Sequence, residues 1–433
     1  MTPTRSMRRE KIIRRIFTAF LALVFPALSV SAGVLRNVSL DECFSSAMKQ
    51  SETMADQGEL VLQAEEQARQ AWAGMMPAVT AYGSHFRQEQ SSGASASSSE
   101  QNQARISGSL SLFRGFRDFA AIRQAGASIQ YRVEARRWAG LQLYADVAQA
   151  YFAVLSLRGD LVHLDKQMDV YSRRIEDLRI RVRVGRSRQA EVFTTQTALA
   201  LLKVQRTQVI GQLQAGREVL AFLTGLDAAA EPVEPEEIPA EIGSLDTWIK
   251  RVDARPDLAA ARYRIEAAQN GTLAERAGHW PSVDISGNYY LERPGQTPWP
   301  RWDAQMALTL PIFAGFATAS KVSTAESQAR EAALDLSRLT RSAVREIRIL
   351  RQNLDADISQ LEELREAVDL SEKNYQEVQS DYNLNLVDNL DVLQALVTYQ
   401  DAVRSRDKMR YLAHLDHHRL LASSAQISAV LKY

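Results

Sequence analysis

Every seventh residue from Ile347 to Tyr382 is apolar: Ile347, Leu354, Leu361, Val368, Tyr375 and Tyr382, with Leu350, Ile358, Leu364 and Val378 on the neighbouring row. This is a coiled-coil seam sustained over five heptads. Two hundred residues earlier the seam recurs as Val147, Val154, Leu161, Met168, Ile175 and Val182. A chain that carries one long helical element twice is built as two copies of a unit, and neither copy is a compact globule.

The 433 residues carry 52 Lys+Arg against 52 Asp+Glu, so overall charge gives no reason to expect a nucleic-acid partner. Cys43 is the single cysteine, which excludes an intrachain disulfide and a cysteine-based metal cluster. Arg5, Arg8, Arg9, Lys11, Arg14 and Arg15 precede an apolar run from Ile16 to about Leu28 and then Val30-Ser31-Ala32. That pattern reads as a signal peptide over 1–32, and its removal leaves 46 positive against 51 negative residues. No later stretch approaches 18 consecutive apolar residues. An exported chain of this kind is soluble or meets a membrane as a β-barrel, which hydropathy does not see.

Residues 33–224 read as the first repeat. Ser39-Leu40-Asp41-Glu42 is a capping box that opens a helix running to about Gly74, and Met76-Pro77 ends it. A β-hairpin follows over about 77–114, its 91–99 loop rich in serine and its returning strand alternating Ala104, Ile106, Gly108, Leu110 and Leu112 with Arg105, Ser107, Ser109 and Ser111. The faces of the outgoing strand are not assigned. A helix over 116–184 then needs roughly 100 Å at 1.5 Å per residue. Gly185 suits a left-handed cap, Ser187 can cap the next helix (187–223), and Val192, Leu199, Leu202, Val209, Leu213 and Leu220 form that helix's stripe.

An acidic, proline-rich linker over 225–243 leads to the second repeat, 244–433. Ser244-Leu245-Asp246 answers Ser39-Leu40-Asp41, and Phe313-Ala314-Gly315-Phe316 answers Phe113-Arg114-Gly115-Phe116. Asn385 stands where Gly185 stood, and asparagine is the next-best residue for a left-handed cap. The repeat comprises a helix, a hairpin over about 281–313, a long helix 316–384, a helix 388–423 and a tail. In the hairpin Val283, Ile285, Gly287, Tyr289 and Leu291 alternate with Ser282, Asp284, Ser286, Asn288 and Glu292; Trp302, Ala304, Met306, Leu308 and Leu310 alternate with polar residues on its partner. Strands with one apolar and one polar face, with Tyr289, Tyr290, Trp299 and Trp302 near one rim, suit a lipid-facing barrel with a wet lumen. Four strands cannot close, and an open sheet edge cannot sit in lipid, so the chain must oligomerise: two copies give eight strands, three give twelve and room for a channel.

At this point the chain resembles the TolC-like outer membrane efflux proteins. The residues carrying the resemblance are the paired Ser-Leu-Asp helix starts, Pro77 and Pro281, Leu310-Pro311-Ile312-Phe313-Ala314-Gly315, Pro256-Asp257-Leu258 and Asp391-Val392-Leu393-Gln394-Ala395. The resemblance implies a mainly helical fold with some β structure, in which two repeats of long antiparallel coiled-coil helices, each with a hairpin, trimerise into a 12-stranded barrel and a periplasmic α-helical tunnel. It also implies an equatorial belt from the 225–243 linker and the tail. The function implied is a passive exit duct in the outer membrane of a Gram-negative bacterium, for efflux or type I secretion. Its partners are then outer-membrane lipid, a periplasmic membrane-fusion adaptor and an inner-membrane pump of the RND or ABC type. A periplasmic coiled-coil scaffold or adaptor without a pore is the competing class.

The resemblance places a gate carboxylate at Asp391, with Gln394 in the place of a second acid. Asp391 also lies at the third position of a helix capped by Asp388, where acids favour the helix dipole, and Glu191 holds the matching place in the first repeat. Tyr382 matches a tip tyrosine that latches neighbouring helices; its arginine partner is Val387 here, and Tyr382 also continues the heptad seam. Gly185, Arg186, Ser187, Asn385, Leu386 and Val387 are adaptor-contact candidates by position. His414 and His418, four apart with His417 alongside, have a spacing that can ligate zinc or copper; lacking a third strong ligand nearby, they read as solvated histidines. No metal or other cofactor is expected, and no nucleophile elbow, phosphate loop or His-Glu-x-x-His motif points to an enzyme.

Overall fold

A computed structural model of the chain describes residues 37–88, 100–239, 242–293 and 300–427. Residues 1–32, where a signal peptide is expected, residues 91–99, Trp299 and residues 428–433 fall outside them. The elements are β1 (Asn37–Val38), α1 (Leu40–Gln50), α2 (Glu52–Ala73), β2 (Ala78–Arg87), β3 (Glu100–Arg114), α3 (Arg117–Arg183) and α4 (Gln189–Thr224), then β4 (Glu231–Pro232). The second repeat supplies α5 (Leu245–Lys250), α6 (Pro256–Arg276), β5 (Ser282–Glu292), β6 (Trp302–Thr309), α7 (Ala317–Asn383) and α8 (Asn389–Ser423). Helices α3 and α7 have the same length, 67 residues, and start 200 residues apart.

The four long strands form one antiparallel sheet in the order β2-β3-β5-β6. Register puts the apolar rows together: Ile106 opposite Tyr289, Leu110 opposite Ile285, then Ile285 opposite Met306 and Val283 opposite Leu308. It also settles the outgoing strand, since Val79 and Ala81 pair with Gly108 and Ile106 and so join the apolar face. A bulge between Ser111 and Phe113 sets Phe113, rather than Leu112, opposite Val283. Val79, Met306, Leu308 and Trp302 are exposed. The polar face is knitted by side chains: Ser107 donates to Asn288 (2.7 Å), Asn288 to Asp303 (2.7 Å) and the Tyr290 hydroxyl to Asp303 (2.8 Å). A sheet that satisfies its polar face internally and leaves its apolar face bare is built for a non-aqueous neighbour.

The expected single helix up to Gly74 is two helices. Ser51 leaves the helical region (φ −67°, ψ 117°), donates its N–H to the Ala47 carbonyl and accepts the Met54 N–H on its hydroxyl, ending α1 and capping α2. The second repeat breaks at the equivalent place: α5 is followed by a 3₁₀ turn, and Pro256 restarts the chain as α6. The first break lies level with the middle of α3, at Ala139 and Gln142.

Gly115 takes φ +63° where sheet becomes helix, and a Cβ there would lie 2.6 Å from Trp280 Cβ. In the upper half the helices lie side by side as α2-α3-α6-α7, in the lower half as α4-α3-α8-α7. Helix α3 therefore has neighbours within the chain on both sides and buries Val147, Tyr151, Val154, Leu164, Tyr171 and Leu178. Helix α7 stands at an edge, and its buried residues (Ile347, Leu354, Val368, Tyr382) face α8 and the middle of the chain.

The repeats are tied at mid-height. Arg255, 2% exposed, pairs with Asp257 (2.9 Å) and Glu346 (3.0 Å), donates to the Ser423 carbonyl (3.1 Å) and stacks on Trp138 (4.4 Å). A buried guanidinium is tolerated because its charge is paired and its donors are used. Strands β1 and β4 pair in parallel against α3 at Tyr151, whose hydroxyl donates to the Val233 carbonyl (2.7 Å).

Candidate functional site: the helical tips and the seam between the repeats

The two helical hairpins end in turns of one design. Gly185 (φ +73°) and Asn385 (φ +62°) take the left-handed position. The Arg186 N–H reaches the Arg181 carbonyl (2.8 Å), and the Leu386 N–H reaches that of Asp381 (2.9 Å), the six-to-one closure of a Schellman turn. Gly185, Arg186, Asn385 and Leu386 are exposed; Ser187 and Val387 are half-buried. Val387 packs against Ile175, Leu178, Val192, Tyr382 and Val392.

Ser187 does not cap the next helix. Its hydroxyl donates to Glu191 Oε2 (2.9 Å), and the helix begins one residue later behind Arg188, whose N–H donates to Glu191 Oε1 (3.4 Å). In the second repeat Asp388 is the cap, accepting from the N–H groups of Leu390 (2.8 Å) and Asp391 (3.2 Å), while Asp391 Oδ2 accepts the Asp388 N–H (3.1 Å). Asp391 and Glu191 thus do the same job in a capping box. Asp388, Asp391 and Gln394 are all exposed, at three-residue spacing along one side of α8.

Tyr382 has the arginine partners that Val387 does not provide, and they come from the other repeat. Its ring is 6% exposed, with the Arg174 guanidinium 3.8 Å and the Arg181 guanidinium 4.5 Å from the ring centroid. Arg174 also donates through Nε to Asn389 Oδ1 (2.9 Å), and buried Asn389 donates to Thr195 (3.2 Å). Arg181 donates to Asn383 (2.8 Å). This cluster joins α3, α4, α7 and α8 around one aromatic ring. Reading the sequence for heptads passed over Arg174, Arg181 and Asn389, because such a reading keeps apolar positions. The signal was that Arg174 and Arg181 are themselves one heptad apart.

Polar side chains continue up the α3–α8 seam. Asp160 is held by Arg404 (2.5 and 2.9 Å) with Lys408 beyond it. Burial would push its pKa up, but these cations outweigh burial and lower it. His163 faces Asp407 at 2.6 Å, and Arg419 donates to Gln149 (3.0 Å).

His414 and His418 lie in this seam rather than in water. His414 is buried and stacked on Phe152 with centroids 5.7 Å apart; His418 Nδ1 lies 2.7 Å from the Tyr144 hydroxyl. Burial lowers both to about 4, so both are neutral at pH 7. Among the described residues no group of three histidine, cysteine or acidic side chains is gathered to hold a metal. The solvated reading failed because polarity was taken as exposure at a place where two repeats close on each other.

Among the described residues the sheet is open, with β2 and β6 as its outer strands, and helices lying side by side continue it. The family model described as outer membrane efflux protein matches residues 44–226 and 252–423, one segment in each repeat, and the chain belongs to that family. It is 23% identical over 285 residues to the outer membrane protein TolC of Vibrio cholerae, a match covering 61% of this chain and 63% of that protein. It is 25% identical over 329 residues to the protein CyaE of Bordetella pertussis, covering 72% of this chain and 67% of that one. The crystal structure of the outer membrane protein VceC from Vibrio cholerae superposes with a TM-score of 0.79 at 19% identity, over 89% of this chain and 95% of that one. Structures of CusC give a TM-score of 0.80 at 16% identity, over 92% and 95%.

Proposed function

We propose that three copies of this chain close into a 12-stranded barrel in the outer membrane of a Gram-negative bacterium and into a helical tunnel below it. The assembly is the exit duct of a tripartite efflux or type I secretion system. The observation that carries this reading is the four-stranded sheet whose outer strands β2 and β6 have no further partner among the described residues and whose apolar face is bare. No described helix is long and apolar enough to cross a membrane, which leaves the sheet as the described element suited to lipid.

In this reading 1–32 is the export signal, 33–224 and 244–433 are the two wall segments, and 225–243 belongs to the equatorial belt. The tip residues Gly185, Arg186, Ser187, Asn385, Leu386 and Val387 face a periplasmic adaptor, and an inner-membrane pump of the RND or ABC type supplies the energy. Asp391, with Asp388 and Gln394 on the same side, forms a three-fold constriction that favours cations. Tyr382 is the point by which the second-repeat hairpin is held to the first.

Cell fractionation followed by planar-bilayer recording of the purified protein tests this. Recovery in the outer membrane with stepwise conductance is the expected result. Intact trimers that never conduct would favour the poreless scaffold, and recovery only in soluble or inner-membrane fractions would remove the duct altogether.

A further inference from the structure

The two outer edges of the chain carry opposite charge at the same height. Helix α2 turns Met54 and Ala64 inward. On its opposite side stand Glu52, Asp56 and Glu59, spaced four and three, all exposed and without an ion pair among the described residues. Helix α7, at the other edge, turns Ala343 and Ile347 inward. On its far side stand Arg338, Arg341, Arg345 and Arg348, spaced three, four and three, all exposed. Arg338 reaches only Asp335 on its own helix (3.3 Å); the other three have no ion pair among the described residues. Four guanidinium groups within about 15 Å of helix repel one another until an anion comes between them.

Height follows from the repeat. Helices α3 and α7 both run from sheet to tip with equal length, so a residue of α3 and the residue 200 later on α7 stand level. On the α2 edge a cavity of about 210 Å³ is lined by Glu52, Ala139, Gln142, Asp146 and Phe222, and so lies level with α3 residues 139–146. The arginine patch at Arg338, Arg341 and Arg345 is level with α3 residues 138–145. Rotation about a tunnel axis preserves height. Closing the ring brings the arginine edge of one copy onto the acid-lined edge of the next. Phe222, 83% exposed in the cavity wall, heads a second apolar stripe on α4 (Leu201, Val204, Val219) opposite its buried one (Leu202, Val209, Leu220), which marks the same edge as a covered one.

We propose that a second copy of this chain is the partner of Arg338, Arg341 and Arg345, receiving them on Glu52, Asp56 and Asp146. The inference rests on the ring-closed reading above and adds the contact that sets the register between subunits. Such a contact is heterologous, head to tail, and closes only as a ring. Its charges act by opposing a downward slip, which would set arginine against the exposed apolar stripe of α4.

The test uses the full-length protein in detergent with Glu52→Cys and Arg341→Cys in one chain, treated with a short bis-maleimide linker. The two sites stand at opposite edges of a chain, three helix spacings of roughly 8–10 Å apart, so linkage within one chain is out of reach. A covalent trimer is expected, and none when Arg341→Cys is replaced by Arg365→Cys, roughly 36 Å lower on α7. In parallel, Arg341→Glu with Arg345→Glu should lower the salt concentration at which trimers dissociate, and adding Glu52→Arg with Asp146→Arg should restore it. Trimers that fail to link, that ignore the reversal or that are not repaired by the second reversal overturn the proposal while leaving ring closure standing. A wild-type protein that is monomeric takes both down together.

Discussion

The two helical tips share a backbone and differ in charge. Residues 173–191 carry seven arginines against three acids, whereas residues 373–391 carry one lysine against four acids. The hydrogen bonds that close the turns recur at a spacing of 200: Gly185 to Val182 and Arg186 to Arg181 in the first tip, Asn385 to Tyr382 and Leu386 to Asp381 in the second. After duplication, then, the turn geometry was kept because a Schellman closure needs only a left-handed residue and two N–H groups, while the side chains outside it were free to diverge. The difference has a structural use already visible within one chain: arginines of the first tip clamp the aromatic ring of the second. In a closed ring the tips would alternate in sign around the mouth, so a docking partner would meet two kinds of surface rather than six equal ones.

The sharpest way to break this comparison is at the matched positions Val182 and Tyr382. Tyr382→Ala removes a buried ring and leaves Arg174 without its stacking partner, and should cost roughly 3–5 kcal/mol. Val182→Ala, at a half-buried site of the first tip, should cost roughly 1 kcal/mol. Denaturant unfolding with hydrogen exchange over 375–391 measures both; equal losses would mean that the clamp is only packing.

A second, smaller effect separates charge from capping at Asp391. Asp391→Asn keeps an oxygen for the Asp388 N–H but loses the charge. Block of conductance by multivalent cations should weaken several-fold while the melting temperature hardly moves. The equivalent Glu191→Gln should leave block unchanged, and equal effects at both tips would assign the block to the mouth as a whole.

The smallest effect compares the turns themselves. Nothing lies within 4 Å of a Cβ built on Gly185, so Gly185→Ala meets only backbone strain at φ +73° and should cost about 1 kcal/mol. Asn385→Ala should cost about the same, and Asn385→Gly close to nothing. A shift in urea midpoint reads all three.

Much of this architecture is legible from residue spacing. The 200-residue repeat, the heptad seams, the left-handed caps at Gly185 and Asn385 and the apolar rows of β3, β5 and β6 are local periodicities, and a periodicity is a property of the chain alone. The helix break at Ser51 was hidden because serine mid-helix reads as tolerated until its hydroxyl is seen to cap. The site was less legible. Asp388 and Asp391 declare themselves as helix-start acids, but Arg174, Arg181, Asn389, Asp160 and His418 find partners more than 190 residues away in the sequence.

The sequence by itself determined that this protein is two copies of a hairpin on a very long helical pair, and that neither copy could close a sheet. Only the tertiary structure decided which polar groups meet where the copies lie against each other: Tyr382 between two arginines, His414 on Phe152, Arg255 beneath Trp138. The physical reason is that apolar burial is unspecific and repeats with the helix, whereas a buried charge or hydrogen bond is stable only beside one particular partner, and that partner is fixed by the way the repeats pack.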